Sequence, residues 1–369
     1  MNITAVDISF IDTPLPVPLA NPLTSGASIT TILAEVHTAQ GITGQGTGWS
    51  IGMDRARMIA AATEGAARFA LGRDATRIEA LWSAWEGYSN FVGSSGLATM
   101  GMSILDIALW DIQGQALGQP LWRMLGGHKD KARMYCNLID SDPSGTAPTA
   151  ELMAGLEAAW ARGYREFKLR MGLNAPLVDA GRVRDLVRAA AGQPARCAID
   201  VAQRWSATDA LAACVAMDDL GLFWIEDPGH QDDYAGIRNL ARQIRTPICT
   251  GENAYGVRGG ARVIDEIGCP WVMLDLMRCG GISGWRKVAA LAEARHIRMA
   301  THAYPHIGVQ LVAGTLNATF GEVLPWWDDL YGPIAIRDGH ATPDDTPGVG
   351  ARIAATDLRR AVSWAQLRR

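Results

Sequence analysis

Short apolar runs alternate with amphipathic stretches along most of the chain, from about residue 130 onward. Eight of these runs are each separated from the next by about one helix, namely ARMYCNL, EFKLRMG, RCAIDVA, LFWIEDP, TPICTGEN, WVMLDLM, IRMATHA and FGEVLPW. Parallel strands need a long crossover connection, which is usually helical. The alternation therefore predicts a parallel (β/α) barrel, a fold whose chemistry lies at the carboxyl ends of its strands.

The first 125 residues follow a different pattern. Residues 1 to about 50 carry strand signals with a turn at Gln40-Gly41, and residues 53 to about 125 are helical. One apolar helix face is marked by Ile104, Ile107, Ala108 and Ile112. The glycines at 44, 46 and 48 do not predict a phosphate loop, because Trp49 breaks the GxGxxG spacing and no βαβ unit surrounds them.

Seven of the barrel runs in succession end in ionisable side chains. In chain order these are Lys168 and Arg170, Asp200, Glu226, Glu252, Asp275, His302 and Glu322. The carboxyl ends of barrel strands meet at one rim, so these side chains are expected to converge. A barrel that served only as a scaffold would not need them, and the pattern therefore predicts a catalytic or binding site.

Three of these acids predict a metal site. Asp200, Glu226 and Glu252 close consecutive runs and are spaced 26 residues apart, the length of one βα unit. Carboxylates at close range repel one another unless a cation lies among them, and oxygen-only ligands suit Mg²⁺. Any one of them alone could be an ordinary polar cap of a strand end. Asp227 is expected beside the metal ligands or as a partner of Lys168.

The remaining ionisable residues supply candidate bases. Lys168 and Arg170 are two residues apart on one strand and so point to the same face. Asp275 and His302 end neighbouring runs, and a carboxylate beside an imidazole fixes its tautomer and raises its basicity. His306, in a following loop, is an alternative base. His230, in the loop after the fourth run, is a candidate contact for the substrate.

Composition and charge exclude several classes of protein. The formal net charge is −4 and 48 % of the 369 residues are apolar, which favours neither a nucleic acid nor a membrane as partner. The first residues lack the features of a signal peptide, and no apolar run is long enough to span a bilayer. The six cysteines are scattered without a CxxC motif, which favours reduced thiols and a cytoplasmic location.

With these motifs in place, the chain resembles the enolase superfamily and, within it, the mandelate racemase subgroup. DIALWDIQGQALGQPLWRMLGG resembles the helix that closes the capping domain of that family. Six barrel motifs resemble those of the family in order and spacing, namely KLR, AIDVAQRW, WIEDP, TGEN, LDLMRCGGISGW and THAYPH. The likeness covers nearly the whole chain.

The resemblance implies a fold and a domain order. The expected fold is an α+β capping domain at residues 1–125, a modified (β/α)7β TIM barrel at 126–330, and a C-terminal segment at 331–369 that returns to the cap. Capping loops at about residues 14–28 and 46–55 are expected over the barrel mouth, where they would select the substrate. A homo-oligomer, between a dimer and an octamer, is also expected.

The resemblance also implies a chemistry. It implies Mg²⁺ at the three acids of the predicted metal site, an Asp275–His302 dyad, an acid at Glu322, and removal of the proton α to a substrate carboxylate. That proton is barely acidic, because its loss turns a carboxylate into a dianion. A cation stabilises the dianion as it forms, so that the base needs only moderate strength.

Two positions depart from the pattern of the family. Arg170 stands where the family has its second lysine, and arginine stays protonated, so we expect it to bind substrate oxygens or stabilise the enolate. Ala202 stands where the family often has Asn, and Gln203 or Arg204 could take over that polar contact.

The loss of one base favours dehydration of a small hydroxy-carboxylate, an acid sugar, with His302 as both base and acid. The alternatives are a racemase or epimerase, a lactone cycloisomerase, and a sugar-acid-binding protein that is not an enzyme.

Overall fold

An antiparallel sheet covered by helices forms the first part of the chain. The computed structural model describes residues 1–20, 25–138, 144–145, 149–190 and 196–369. The first three strands are β1 (Ile3–Ala20), β2 (Ser25–Thr38) and β3 (Thr43–Ile51), and β1 and β3 both pair antiparallel with β2. The predicted turn at Gln40-Gly41 is present between β2 and β3. The helices that follow are α1 (Met53–Ala70), α2 (Ile78–Ser89), α3 (Leu97–Leu117) and the short α4 (Leu121–Met124).

Helix α3 is buried on all sides over most of its length. A single apolar face was expected, but Asp106 and Leu109, on other faces of the helix, are as buried as Ile104. The reason is that α3 lies between β3 on one side and the barrel helices on the other. Trp110 Nε1 donates to Ser283 Oγ of the barrel at 2.9 Å, and Asp106 accepts the backbone N–H of Ser283 at 3.1 Å.

The row of glycines in β3 exists because α3 approaches the strand closely. A Cβ atom on Gly46 would lie 1.9 Å from the carbonyl oxygen of Ile104, and one on Gly44 would lie 2.2 Å from that of Ala108. These separations are far below a van der Waals contact. The glycines therefore serve helix-to-strand packing.

Eight parallel strands close into a barrel. They are β4 (Ala132–Leu138), β5 (Glu166–Arg170), β6 (Arg196–Asp200), β7 (Ile225–Glu226), β8 (Ile248–Thr250), β9 (Trp271–Asp275), β10 (Arg298–His302) and β11 (Ala318–Val323). Neighbours in sequence pair in parallel, and β11 closes the ring by pairing with β4. The fold is thus the predicted capping region followed by a modified TIM barrel.

Helices connect the barrel strands and surround them. They are α5 (Ala150–Ala161), α6 (Pro176–Ala189), α7 (Ala207–Met217), α8 (Tyr234–Ala241), α9 (Gly256–Arg262), α10 (Leu276–Cys279), α11 (Gly281–Glu293) and α12 (Pro305–Gly314). Aromatic and small residues fill the interior of the barrel, among them Tyr135, Phe223, Trp224, Trp271 and Phe320. Among the helices that the structure describes, none is long and apolar enough to span a lipid bilayer.

The C-terminal segment runs back along the molecule to the first sheet. It contains α13 (Asp328–Tyr331), β12 (His340–Ala341), α14 (Ala355–Leu358) and β13 (Val362–Arg368). Strand β12 pairs antiparallel with β4 at the base of the barrel, and β13 pairs antiparallel with β1. These pairings hold the first sheet and the barrel together, while the exact domain boundaries at 125 and 330 stay predictions.

Candidate active site

His302 and Asp275 end adjacent strands and contact each other directly. They are register partners on β10 and β9, and His302 Nδ1 lies 2.8 Å from Asp275 Oδ2. The other oxygen, Oδ1, accepts the backbone N–H groups of Met277 at 2.8 Å and Arg278 at 3.2 Å. The guanidinium of Arg278 lies 3.3 Å from Oδ2. The carboxylate is thus held by four donors, which fixes its position against the imidazole ring.

The opposite ring nitrogen of His302 meets a different acid. Nε2 lies 3.1 Å from Glu252 Oε2. Burial alone lowers the pKa of His302, but the charge of Glu252 and the hydrogen bond with Asp275 outweigh it and raise the pKa to about 9. The imidazole can therefore release or accept a proton at Nε2 only as Glu252 is drawn away from it.

Lys168 occupies the centre of the barrel mouth and stays charged. Its ammonium lies 2.6 Å from both Glu226 and Glu322 and 3.7 Å from Asp200, and it is fully buried. Burial alone lowers its pKa, but the charges of these acids outweigh that effect and raise it. Glu322 also accepts from Asn137 Nδ2 at 3.0 Å and from the backbone N–H of Ala303 at 2.7 Å.

Arg170 points to the same side as Lys168, as the two-residue spacing predicts. Its guanidinium lies 2.8 Å from Asp200 Oδ2. Burial lowers the pKa of Arg170, whereas the charges of Asp200 and Glu252 raise it by more. Both side chains are therefore positively charged in this arrangement of the mouth.

The three candidate metal ligands are each paired with a different cation. Glu226 contacts Lys168, Asp200 contacts Arg170, and Glu252 contacts His302. Within the part of the chain that the structure describes, no three His, Cys, Asp or Glu side chains lie close enough together to form a ready metal cluster. The assignment of Asp200, Glu226 and Glu252 as metal ligands therefore stays a prediction.

The chemistry of these acids nevertheless fits a divalent cation. Six carboxylates meet at the mouth, those of Asp200, Glu226, Asp227, Glu252, Asp275 and Glu322, against the permanent charges of Lys168, Arg170 and Arg278. Burial, together with the charges of Asp200, Glu322 and Glu252, raises the pKa of Glu226 well above its usual range. Asp200 Oδ2 is buried and accepts no hydrogen bond from the described residues, although Arg170 lies beside it. The oxygen donors and the uncompensated negative charge suit Mg²⁺.

Asp227 does not contact Lys168, so that part of the prediction was wrong. Asp227 Oδ1 instead accepts the hydroxyl of Thr250 on the next strand at 2.6 Å. The chain adopts a left-handed conformation at Asp227, with φ of 40°. Burial and the charge of Glu252 raise the pKa of Asp227 to about 8. The side chain of Asp227 thus lies on the β8 side of the mouth.

The other two histidines of interest lie elsewhere. His306 is not in a loop but in the first turn of α12, and its Nε2 donates to the carbonyl of Gly332 at 3.0 Å. The side chain of His230 is 66 % exposed and lies near Asp232. Among the described residues, neither histidine contacts an acid of the mouth.

Gln203, considered as a polar contact for the substrate, is already engaged within the protein. Its side-chain carbonyl accepts the backbone N–H of Gln231.

The capping region reaches the site through strands. Residues 46–55, predicted as a loop, form the end of β3 and the start of α1. Most of residues 14–28 belong to β1 and β2, while 21–24 lie outside the described residues. Trp49 of β3 places its ring 5.9 Å from that of His302, and its buried Nε1 donates to no atom of the described residues.

Three residues that the structure brings to the site were not predicted from the sequence, namely Trp49, Asn137 and Arg278. Arg278 follows Asp275 by three residues on a helical turn, a spacing that could have suggested the contact. Asn137 is near the end of the one barrel run that does not end in an ionisable side chain, so a search for charged strand ends does not find it. For Trp49 the chain offers no local signal.

Two family models match the chain, one for each part of the fold. A model described as "Mandelate racemase / muconate lactonizing enzyme, N-terminal domain" matches residues 5–126, and one described as "Enolase C-terminal domain-like" matches residues 151–357. The chain belongs to the mandelate racemase subgroup of the enolase superfamily.

Relatives within this superfamily carry several activities. The chain is 29 % identical over 348 residues to a 3,6-anhydro-alpha-L-galactonate cycloisomerase of Streptomyces coelicolor, covering 91 % of this chain and 93 % of the relative. It is 29 % identical over 366 residues to an L-talarate/galactarate dehydratase of Salmonella typhimurium, covering 95 % and 88 %. The crystal structure of an L-talarate dehydratase from Polaromonas sp. JS666, complexed with Mg and L-glucarate, matches with a TM-score of 0.90 and 29 % identity, covering 100 % of this chain and 99 % of that one.

Proposed function

We propose that this member of the mandelate racemase subgroup is a magnesium-dependent hydro-lyase that dehydrates an acid sugar to a 2-keto-3-deoxy acid. The observation that carries the proposal is the asymmetry of the mouth. One side holds a single imidazole oriented by Asp275, and the other holds Lys168 and Arg170, both kept protonated by carboxylates. One base is enough for dehydration, whereas racemisation needs a base on each face of the α-carbon.

Asp200, Glu226 and Glu252 would hold the magnesium ion. When bound, it would stabilise the negative charge that develops on the substrate carboxylate as the α-proton leaves. Lys168 and Arg170 provide fixed positive charge on the same side of the mouth and would bind and orient the carboxylate and hydroxyl oxygens of the substrate.

His302 would carry out both proton transfers. Neutral Nε2 takes the proton from Cα, and the C–H electron pair forms the enolate. The resulting imidazolium then donates the same proton to the β-hydroxyl, which leaves as water while the electrons of the enolate form the carbon–carbon double bond. The enol product tautomerises to the 2-keto-3-deoxy acid. Asp275 keeps the proton on Nδ1 throughout, so that Nε2 remains the reacting atom.

The relatives support this reaction class and leave the substrate open. The dehydratases and the cycloisomerase among them are lyases and isomerases, and this chain is accordingly an enzyme of one of those two classes. The identity of the acid sugar, the homo-oligomeric state and the cytoplasmic location stay predictions. A cycloisomerase is the second candidate, because a relative with that activity matches over nearly its whole length.

The test is a screen of acid sugars with Mg²⁺, read by NMR and mass spectrometry. We expect a product that has lost one water and carries a 2-keto group, and we expect its formation to stop in EDTA. His302→Asn should abolish turnover, and His306→Asn, which alters a histidine outside the mouth, should not. A product of unchanged mass would establish the isomerase instead, and full activity of His302→Asn would exclude His302 as the base.

A further inference from the structure

A second charged cavity lies at the opposite end of the barrel from the active site. It has a volume of about 420 Å³ and is lined by five cationic side chains, those of Lys129, Lys131, Arg133, Arg196 and Arg298. Arg196 and Arg298 are the first residues of β6 and β10, whereas the candidate catalytic groups Asp200 and His302 are the last. Four residues of strand separate the two ends, or roughly 13 Å.

The cavity concentrates positive charge in a chain whose net charge is negative. No aspartate or glutamate is among its lining residues in the described part of the chain. Arg133 forms an ion pair with the buried carboxylate of Glu166 beside the cavity, and Lys129 Nζ donates to the carbonyl of Ala318 at 2.5 Å. For Lys131, Arg196 and Arg298, no carboxylate partner occurs among the described residues.

Aromatic rings below the arginines account for their position and leave their charge uncompensated. The guanidinium of Arg298 lies 4.7 Å from the ring centre of Trp271, that of Arg133 lies 5.1 Å from Phe320, and that of Arg196 lies 5.7 Å from Phe223. Such contacts are attractive because the face of an aromatic ring is negatively polarised. A ring is neutral and occupies one face of the guanidinium, so the N–H donors at its edge stay available for hydrogen bonds.

We propose that this cavity binds a small oxyanion that carries at least two negative charges, of the phosphate or phosphate-monoester class. Guanidinium groups match the oxygens of phosphate with paired hydrogen bonds, and lysines add point charges from another side. A bound dianion offsets the mutual repulsion of the cations. The volume is within the range of small-molecule sites.

The proposal is tested by titrating the full-length protein with inorganic phosphate and with AMP, by calorimetry in a metal-free buffer of low ionic strength. Arg196→Gln/Arg298→Gln removes two cations from the cavity. Arg188→Gln/Arg295→Gln removes the same charge from exposed positions outside it, one on α6 and one in the turn after α11. We expect saturable binding to the wild type and to this control, and at least tenfold weaker binding to the cavity variant. Arg170→Gln, which alters the active-site mouth, should bind phosphate as the wild type does.

Several results would overturn the proposal. These are equal affinity of the cavity variant and the wild type, loss of binding in Arg170→Gln, and no saturable binding to the wild type. If the cavity variant loses self-association in sedimentation experiments while its affinity for phosphate is unchanged, the cavity is an interface between copies of the chain. If the double variant does not fold, Lys131→Gln, at an exposed position, should weaken phosphate binding several-fold, and unchanged binding there would count against the site.

Discussion

The substitution Asp275→Asn should convert His302 to the wrong tautomer. In the wild type, Oδ1 accepts two backbone N–H groups, from Met277 and Arg278, and Oδ2 faces Nδ1 of His302 at 2.8 Å. The amide of asparagine has one acceptor and one donor group. The two backbone donors claim the carbonyl oxygen, so the amide NH₂ faces the imidazole. Nδ1 must then accept a hydrogen bond, and the proton moves to Nε2, where it blocks proton abstraction.

The size of the expected loss in kcat follows from the free-energy cost of the opposite orientation of the asparagine amide. Turning the amide so that its oxygen faces His302 restores the reactive tautomer but sets NH₂ against two backbone N–H groups. Leaving a buried donor unsatisfied costs about 1–3 kcal/mol, so the two donors together cost about 2–6 kcal/mol. At about 1.4 kcal/mol for each factor of ten, we expect kcat to fall roughly 30- to 20,000-fold.

The tautomer can be measured without a known substrate. Long-range ¹H–¹⁵N correlation spectra of protein labelled at histidine, recorded on the alkaline side of the His302 titration, distinguish a proton on Nδ1 from one on Nε2. Asp265→Asn, which alters an exposed acid outside the mouth, is the matched control. Circular dichroism and thermal unfolding show whether each variant is folded. An Asp275→Asn protein that keeps the Nδ1 proton would refute the reasoning, and a changed tautomer with unchanged turnover would remove His302 from the mechanism.

Further predictions concern packing, acid stability, the metal and the role of Arg170. Gly46→Ala should destabilise the fold by about 1–3 kcal/mol in urea unfolding, because its Cβ would lie 1.9 Å from a carbonyl oxygen. Gly65→Ala, in open space on a helix, should be neutral or stabilise the fold by up to about 1 kcal/mol. Equal effects of the two substitutions would contradict the close packing of α3 against β3. Burial by itself raises the pKa of Asp218, but hydrogen bonds from two backbone N–H groups and from the hydroxyl of Thr246 outweigh it and lower the pKa to about 2. The ionised carboxylate therefore stabilises the folded state above about pH 4, and this stabilisation is lost as the pH falls toward 2. Asp218→Asn should therefore cost about 1–2 kcal/mol at pH 6 and clearly less at pH 3, and a loss independent of pH would exclude this origin. Glu226→Gln should abolish Mg²⁺ binding measured by calorimetry, and retained affinity would remove Glu226 from the ligand set. Wild type in D₂O should exchange the α-proton of one epimer only, and exchange from both would make Arg170 or Lys168 a second base.

The barrel and the residues at its mouth could be predicted because they follow from local rules. A run of apolar residues that is followed by a helix predicts one parallel strand, and eight repeats predict closure. The carboxyl ends of such strands necessarily meet at one rim, so that Asp200, Glu226 and His302 could be placed together from the chain alone. Lys168 and Arg170 face the same way because side chains alternate along a strand.

The pairing of charges at that rim could not be predicted. Lys168 of β5 forms an ion pair with Glu322 of β11, and β4 lies between these two strands where the barrel closes. The separation of the two residues in sequence gives no sign of this ion pair. Asp227 was expected beside the metal ligands or as a partner of Lys168, and it bonds to Thr250 and not to Lys168, at a strand end where the backbone is left-handed. Such contacts depend on the register of neighbouring strands and on single backbone angles, which the apolar pattern does not encode.

The contribution of the capping region also depended on the tertiary structure. The sequence by itself determined that strands and a long helix precede the barrel, and that the glycines of β3 are not a phosphate loop. Only the folded molecule showed that α3 is buried between sheet and barrel, that Gly46 is required by its approach, and that Trp49 stands over His302. Local propensity and periodicity act over a few residues and could be read directly. Some contacts of the site, such as those of Lys168 with Glu322 and of Trp49 with His302, join residues more than a hundred positions apart, and packing of the whole chain decides them.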